Sequence, residues 1–257
     1  MSSQNPSQTR WWWIRHAPVP DGGCIYGQRD LDCDCSDVEV FRAVARALPR
    51  DAVWFTSSLA RTKQTAAAIL GADPRPGGVT AAPLAEFAEQ HLGQWQGQKR
   101  SAFYAARGVG ERTLWFAPAD ERPPGGESFA DLMARVAPAI MRLTEAHRGR
   151  DIVSVGHGGT IRVAIALALS LEPQTALSFT IDNCSLTRLD HLMPAGLWRV
   201  SSVNHRPWSQ TQAAAAPATG WSPPAGHDAP GMAMARPAHA RRALRLMRRR
   251  RRATACR

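Results

Sequence analysis

Short apolar runs alternate with longer stretches whose apolar residues recur at helical spacing, and that alternation predicts an α/β fold. Trp11–Ile14, Ala52–Thr56 and Asp151–Val155 read as buried strands, and VTAAPLAEF from Val79 starts a shorter one. Leu177–Ile181, Ser185–Leu189 and Leu197–Val203 are further strand candidates. Val38, Phe41, Val44, Ala45 and Leu48 form the apolar face of a helix that stops before Pro49. It opens at Ser36, with Glu39 three residues on in the pattern of a capping box. A second helix begins near Leu59, and ADPRPGG after it is a turn. A long helix within GGESFADLMARVAPAIMRLTEAHRG carries apolar residues at 129, 132, 133, 136, 140 and 143, and Pro138 predicts a kink in it. Thr160–Leu171 is a strongly apolar helix. Gln98–Pro124, rich in Trp, Phe and Arg, reads as weakly helical and as a cap over a site. The expected architecture is one domain over residues 11–206, with a mainly parallel sheet covered on both faces.

Two strand ends carry reactive side chains. His16 closes WWWIRHAP and His157 closes DIVSVGHGG, where open α/β sheets place their ligands. Arg15 stands beside the first histidine, and Arg61 lies near the start of the helix after the second strand. A guanidinium there adds a fork of donors to a helix end that already favours anions. Gly158 and Gly159 after His157 permit close approach, so backbone N–H groups at that turn could cradle an oxyanion. Glu89, in AEQHLGQWQG, sits in a tight turn rather than on a helix face. Taken singly each residue has a plain structural explanation; together they point to phosphate chemistry.

Charge changes little in this picture. The chain has 257 residues and a net charge of +11, but ten arginines and one acid fall between Pro207 and Arg257. The body is therefore nearly neutral. Residues 1–10 are expected to be flexible, and 207–257, Ala/Pro-rich and then arginine-rich, to be disordered. Three readings of RRALRLMRRRRR (241–252) stand open: a contact for nucleic acid or an anionic membrane, a solvated appendage, and translated sequence past an ancestral stop. Two lysines against 30 arginines indicate GC-rich coding and favour the last two, so any nucleic-acid contact would come through the tail alone.

Five cysteines, at 24, 33, 35, 184 and 256, show no disulfide-scaffold pattern, and DCDC lacks the second pair of a zinc knuckle. The longest apolar run, from Val163, is far short of the ~20 residues of a membrane span. A reducing cytoplasm is the expected compartment.

RHAPV (15–19), TSSLARTKQTA (56–66), EQHLGQWQG (89–97), PGGES (124–128) and VGHGGTIR (155–162) occur in an order that resembles the histidine phosphatase superfamily, the phosphoglycerate mutase-like proteins. The resemblance covers Trp11–Pro207 and implies a three-layer α/β/α sandwich. It implies His16 as nucleophile and Arg15, Arg61 and a protonated His157 around the phosphoryl group, with Gly158 beside them. Glu89 aligns with the proton donor, Glu86 is the competing choice, and Glu127 reads as structural. No metal or cofactor is called for, and the implied partner is a small phosphorylated metabolite. Two departures stand out: Ala17 replaces the glycine that usually follows the nucleophile, and Gly22 stands where asparagine is frequent. Mutases of the superfamily carry Glu-Arg-His-Tyr-Gly where this chain has Gln90 and Leu92, which implies hydrolysis rather than mutase activity. GGCIYGQRDLDCDCSD resembles the loop of α-ribazole phosphatases, with Tyr26, Gly27 and Asp30 carrying the likeness as substrate-loop residues.

Overall fold

Successive side chains of a strand point to opposite faces, and the run Trp11-Trp12-Trp13 uses this to anchor two cores at once. Trp11 and Trp13, both fully buried, stack at 4.9 Å on one face of the sheet, and the Trp11 indole N–H donates to Thr144 Oγ1 at 2.9 Å. Trp12 faces the other way, where its N–H reaches Asp151 Oδ1 at 2.9 Å and Arg188 stacks on its ring.

The computed structural model describes residues 8–74, 78–108 and 115–209. The arginine run of the tail therefore lies outside the described residues. The tryptophans belong to β1 (Gln8–Arg15), which starts three residues before the apolar run because Gln8, Thr9 and Arg10 already pair with a neighbouring strand. Residues 8–10 are thus part of the sheet rather than of a flexible terminus. β2 (Ala52–Ser57), β3 (Ala82–Leu84) and β4 (Asp151–Gly156) join it in parallel, while β5 (Leu186–Leu192) and β6 (Leu197–His205) add two antiparallel strands. The order is β3-β2-β4-β1-β5-β6, a mixed sheet of six strands in which β3, β2, β4 and β1 are parallel and β5 and β6 antiparallel.

Helices cover both faces, which gives the three-layer sandwich. α1 (Val38–Ala47) and α2 (Ala60–Ala72) supply Phe41, Val44, Ala66 and Ile69 to the Trp12 side. α4 (Phe129–Ala146) and α5 (Gly158–Leu169) pack Leu132, Val136, Ile140, Ile161 and Ile165 against Trp11 and Trp13. A short α3 (Arg100–Ala106) builds a third, smaller core from Phe103, Tyr104, Trp95, Leu92 and Ile25. This is the helical part of the expected cap; residues 109–114 within it lie outside the description.

Three local expectations are corrected. α1 is capped by Asp37, whose Oδ1 accepts from Val40 N–H, so Glu39 falls one position short of a capping box and pairs with Arg42 instead. A capping box does form at Ser128 and Asp131, at the start of α4, which continues through Pro138. Leu177–Ile181 is not a strand: it follows the one-turn α6 (Pro173–Ala176), and β5 already has β1 and β6 as partners. Leu177 and Ile181 are buried all the same, and the Ile181 carbonyl serves a side chain of the site. After β6, Pro207–Ser209 make a 3₁₀ turn, and Trp208 packs on the α1–α2 core, so the ordered body runs past residue 206.

Trp11→Ala is expected to cost about 3–5 kcal/mol, since it empties a fully buried site and orphans Thr144. Trp12→Ala, at a partly exposed position, should cost markedly less. Urea unfolding of the two variants measures the difference.

Candidate active site

β1 and β4 are neighbours, parallel, with Arg15 opposite Gly156. The residues that follow must therefore emerge side by side. The rings of His16 and His157 are 5.2 Å apart, both buried, and His16 N–H donates to Gly156 O at 2.9 Å. The turn after β1 is held from two more sides: Asn183 Nδ2 donates to His16 O at 2.7 Å, and Ala17 N–H donates to Thr65 Oγ1 at 2.9 Å. The Ala17 methyl, where the superfamily usually has glycine, packs into the α1–α2 core.

The two arginines are fixed by backbone carbonyls. Arg15 donates to Ile181 O at 2.7 Å, and Arg61, fully buried in the first turn of α2, donates to Gly27 O at 2.6 Å and Arg29 O at 2.9 Å. Their Nε–H groups, with Nδ1 of His157, are buried without a partner among the described residues. Buried donors left unmade cost about 1–3 kcal/mol each, so this cluster is poised for an acceptor.

His16 Nδ1 lies 2.7 Å from Ala17 O. A carbonyl can only accept, so Nδ1 carries the proton and Nε2 keeps its lone pair. Burial, followed by the Arg15 and Arg61 charges, holds the His16 pKa well below its ordinary value. His157 is also held well below, by burial and then by Arg61, His16 and Arg15. Without an anion this favours the neutral ring; the expected imidazolium concerns the phosphate-bound site, where a dianion opposes the shift. Ser57 Oγ lies 2.8 Å from His157 Nε2, and Ser57 is itself tied to Leu59 N–H and the Thr62 hydroxyl.

Arg15, Tyr26, Gly27, Glu89, Leu92 and Gly158 line an open pocket together with Arg100, Trp115, Phe116 and Arg162. Glu89 is buried there, its carboxylate accepting from Gln90 N–H at 2.9 Å and Gly159 N–H at 3.2 Å. The Gly159 amide expected to serve an oxyanion is thus engaged by Glu89. A Cβ at Gly159 would stand 2.3 Å from Glu89 Oε1, so a side chain there would displace the Glu89 carboxylate. Glu86, more exposed, pairs with Arg142 and is off the pocket wall, whereas Glu127 pairs with Arg135 and accepts from His91 N–H. Arg61 and Arg100 both stack on Tyr26. Asp30 is not on the wall; its Oδ1 accepts from Ala60 N–H at 2.6 Å and so caps α2.

Arg162, Ser57, Asn183 and Trp115 were missed as site residues. Arg162 had a signal, since it follows Gly158 by four and so shares its helix face. Trp115 had none. Among the described residues no cluster of three or more His, Cys, Asp or Glu is placed to hold a metal ion, and no helix is long and apolar enough to cross a membrane.

An open α/β sheet with paired histidines and arginines at its parallel strand ends, and a carboxylate across a pocket, defines a class of enzymes that work on phosphate. The chain belongs to the histidine phosphatase superfamily (branch 1), whose family model matches residues 11–205. It is 33% identical over 155 residues to a 2,3-bisphosphoglycerate-dependent phosphoglycerate mutase of Methylobacterium sp. (strain 4-46), a match spanning 58% of this chain and 74% of that protein. Mycobacterial glucosyl-3-phosphoglycerate phosphatase superposes with a TM-score of 0.66 at 25% identity, over 77% of this chain and 99% of that one. The α-ribazole phosphatase of Shigella flexneri shares the fold, with a TM-score of 0.64 at 20% identity over 77% of this chain and 96% of that one. Family and neighbours place the chain among the phosphoric monoester hydrolases.

Because His16 and His157 bind protons less readily folded than unfolded, the unfolded chain protonates first as pH falls below 6.5. Stability is therefore full above that value and declines from there downward. Melting temperatures of the wild type should fall between pH 7 and pH 5, and His16→Asn and His157→Asn should each flatten the decline.

Proposed function

We propose that this protein hydrolyses the phosphomonoester of a small metabolite through a phosphohistidine on His16. The observation that carries the reading is the neutral His16 ring, its Nδ1–H committed to Ala17 O, set among Arg15, Arg61 and His157. His16 Nε2 attacks phosphorus as the bond from phosphorus to the ester oxygen breaks. Arg15, Arg61 and the Gly158 turn hold the phosphoryl oxygens. His157 serves as a donor from Nδ1 to a phosphoryl oxygen, either as the tautomer whose Nε2 accepts from the Ser57 hydroxyl or as the imidazolium that a bound dianion favours. Glu89, in its acid form, protonates the departing alkoxide. As carboxylate it then takes a proton from water, whose oxygen attacks phosphorus and breaks the P–N bond. Phosphate leaves and His16 is again neutral. No step requires a metal.

Hydrolysis is favoured over mutase transfer by what occupies the two mutase positions. Gln90 is buried and spends its amide on Glu127 O and the Trp115 N–H, and Leu92, on the pocket wall, has no hydroxyl to offer a substrate. For the substrate itself, the likeness of the loop around Tyr26 and Gly27 to that of α-ribazole phosphatases supports α-ribazole 5′-phosphate, and with it a role in cobalamin assembly in the cytoplasm. The structural neighbour acting on glucosyl-3-phosphoglycerate supports a phosphorylated acid as the alternative. A tail acting on nucleic acid would appear as salt-sensitive binding lost on deleting residues 210–257.

Phosphate release from p-nitrophenyl phosphate in the presence of chelator tests the reading. His16→Ala should lose roughly 10⁴-fold or more, and Glu89→Gln on the order of 10²–10⁴-fold on an alkyl ester. Activity that persists in His16→Ala removes the phosphohistidine step.

A further inference from the structure

DCDC (residues 32–35) takes no part in the reaction, yet the fold sets it against α2, the helix that carries Arg61. Cys33 and Cys35 are free and half-buried, and their sulfurs stand 3.6 Å apart. A disulfide bond is about 2.05 Å long, so a closure of roughly 1.5 Å joins them. Cys33 is also tied to the phosphate site. Its N–H donates to Gln64 Oε1 at 3.0 Å, and its thiol donates to Arg61 O at 3.3 Å, with Thr65 Oγ1 3.5 Å away. The Thr65 hydroxyl donates to the same Arg61 carbonyl at 2.7 Å and accepts from Ala17 N–H. One carbonyl and one hydroxyl therefore join this thiol to Arg61 and to the turn behind His16.

The chain just before the pair does the rest of the holding. Gly27 O and Arg29 O fix the Arg61 guanidinium, and Asp30 caps α2. A displacement of Cys33 is thus felt at Arg61 from both ends of that residue, through its carbonyl and through the segment that orients its side chain. The two thiols are not equivalent. Burial, and then the hydrogen bond and charge of Cys33, push the Cys35 thiol up to about 12. It holds almost no thiolate at neutral pH and suits the second step of an exchange rather than the first. Two of those three causes come from Cys33 and end once its sulfur is capped.

We propose that Cys33 and Cys35 form a modification site for a low-molecular-weight disulfide, which oxidises the pair to an intramolecular disulfide and weakens the phosphate site through Arg61. The pair stands on its sulfur geometry, whereas the coupling rests on the reading of Arg61 as a phosphate ligand. The Cys33 thiolate attacks one sulfur of the small disulfide, whose S–S bond breaks, and the departing thiolate takes up the proton that Cys33 gave. Cys35 sulfur then attacks Cys33 Sγ, the mixed disulfide breaks, and the second small thiol leaves with the Cys35 proton. Two protein thiols are oxidised, and one small disulfide is reduced to two thiols. The new bond draws Cys33 Sγ toward Cys35 and removes the S–H donor from Arg61 O. Loss of one such neutral hydrogen bond corresponds to roughly 2–10-fold in affinity.

The test treats the full chain with 2-hydroxyethyl disulfide and reads two quantities. The first is the mass of the tryptic peptide 30–42, which carries both cysteines while Cys24, Cys184 and Cys256 fall in other peptides. It should become two hydrogens lighter and closed to alkylation. The second is the calorimetric Kd of inorganic phosphate, which needs no turnover. It should rise roughly 2–10-fold on oxidation and return with dithiothreitol. Untreated Cys35→Ser should bind phosphate as the reduced wild type does, and on treatment it should stop at a mixed disulfide on Cys33. A wild-type peptide that ends as a mixed disulfide, stays reduced, or links to Cys184 overturns the pair. An oxidised pair with unchanged phosphate binding overturns the coupling. A reduced chain that binds no phosphate contradicts the phosphate-site reading and the coupling with it, while the peptide mass still decides the pair.

Discussion

The ladder between β1 and β4 is the constraint on which this site depends. Parallel strands end on the same edge of a sheet, and the pairing of Arg15 with Gly156 brings the next residue of each chain segment to the same place. His16 and His157, far apart in sequence, are adjacent because of that register alone. A slip of one residue would turn Trp12 into the core that Trp11 and Trp13 fill, so the hydrophobic alternation of β1 fixes the register and the register fixes the site. Core and chemistry are specified by the same four residues of strand.

Around this pair the protein concentrates positive charge and withholds its neutralisation. Carbonyls of Gly27, Arg29 and Ile181 orient the guanidinium groups without cancelling them. The consequence for the imidazoles is the reverse of what charge-rich sites often produce: both are neutral, the nucleophile is available, and a bound dianion supplies the missing charge. Ser57 completes the arrangement by hydrogen-bonding Nε2 of His157, which fixes the ring and leaves Nδ1 without a partner among the described residues. Preorganised donors of this kind favour the charge that develops during phosphoryl transfer over the resting state.

The sequence made the layers and the strand-end residues legible because they follow from local periodicity and from what must stand after a buried strand. His16, His157, Arg15 and Arg61 were found this way, Glu89 through the family resemblance, and the structure brings them together. What escaped depends on partners distant in the chain. Leu177–Ile181 has the composition of a strand, yet it follows the one-turn α6 as a buried connection whose Ile181 carbonyl holds Arg15, a use that composition does not disclose. Asp37 rather than Ser36 caps α1, a displacement of one residue that local pattern does not resolve. Asp30 matched a loop motif but serves the backbone of α2. The lowered pKa of His157 could not be read without its burial, and the stacking of Arg162 on Trp115 required the tertiary structure.

The account stands most directly on the phosphoryl acceptor. Rapid mixing of the full chain with a phosphomonoester, quenching in base and mapping the modified peptide would identify it. A phosphoramidate on His16, stable in base, labile in acid and formed at least as fast as turnover, is the predicted result. Turnover with no adduct on His16, or with the phosphoryl group on another side chain, would contradict the account.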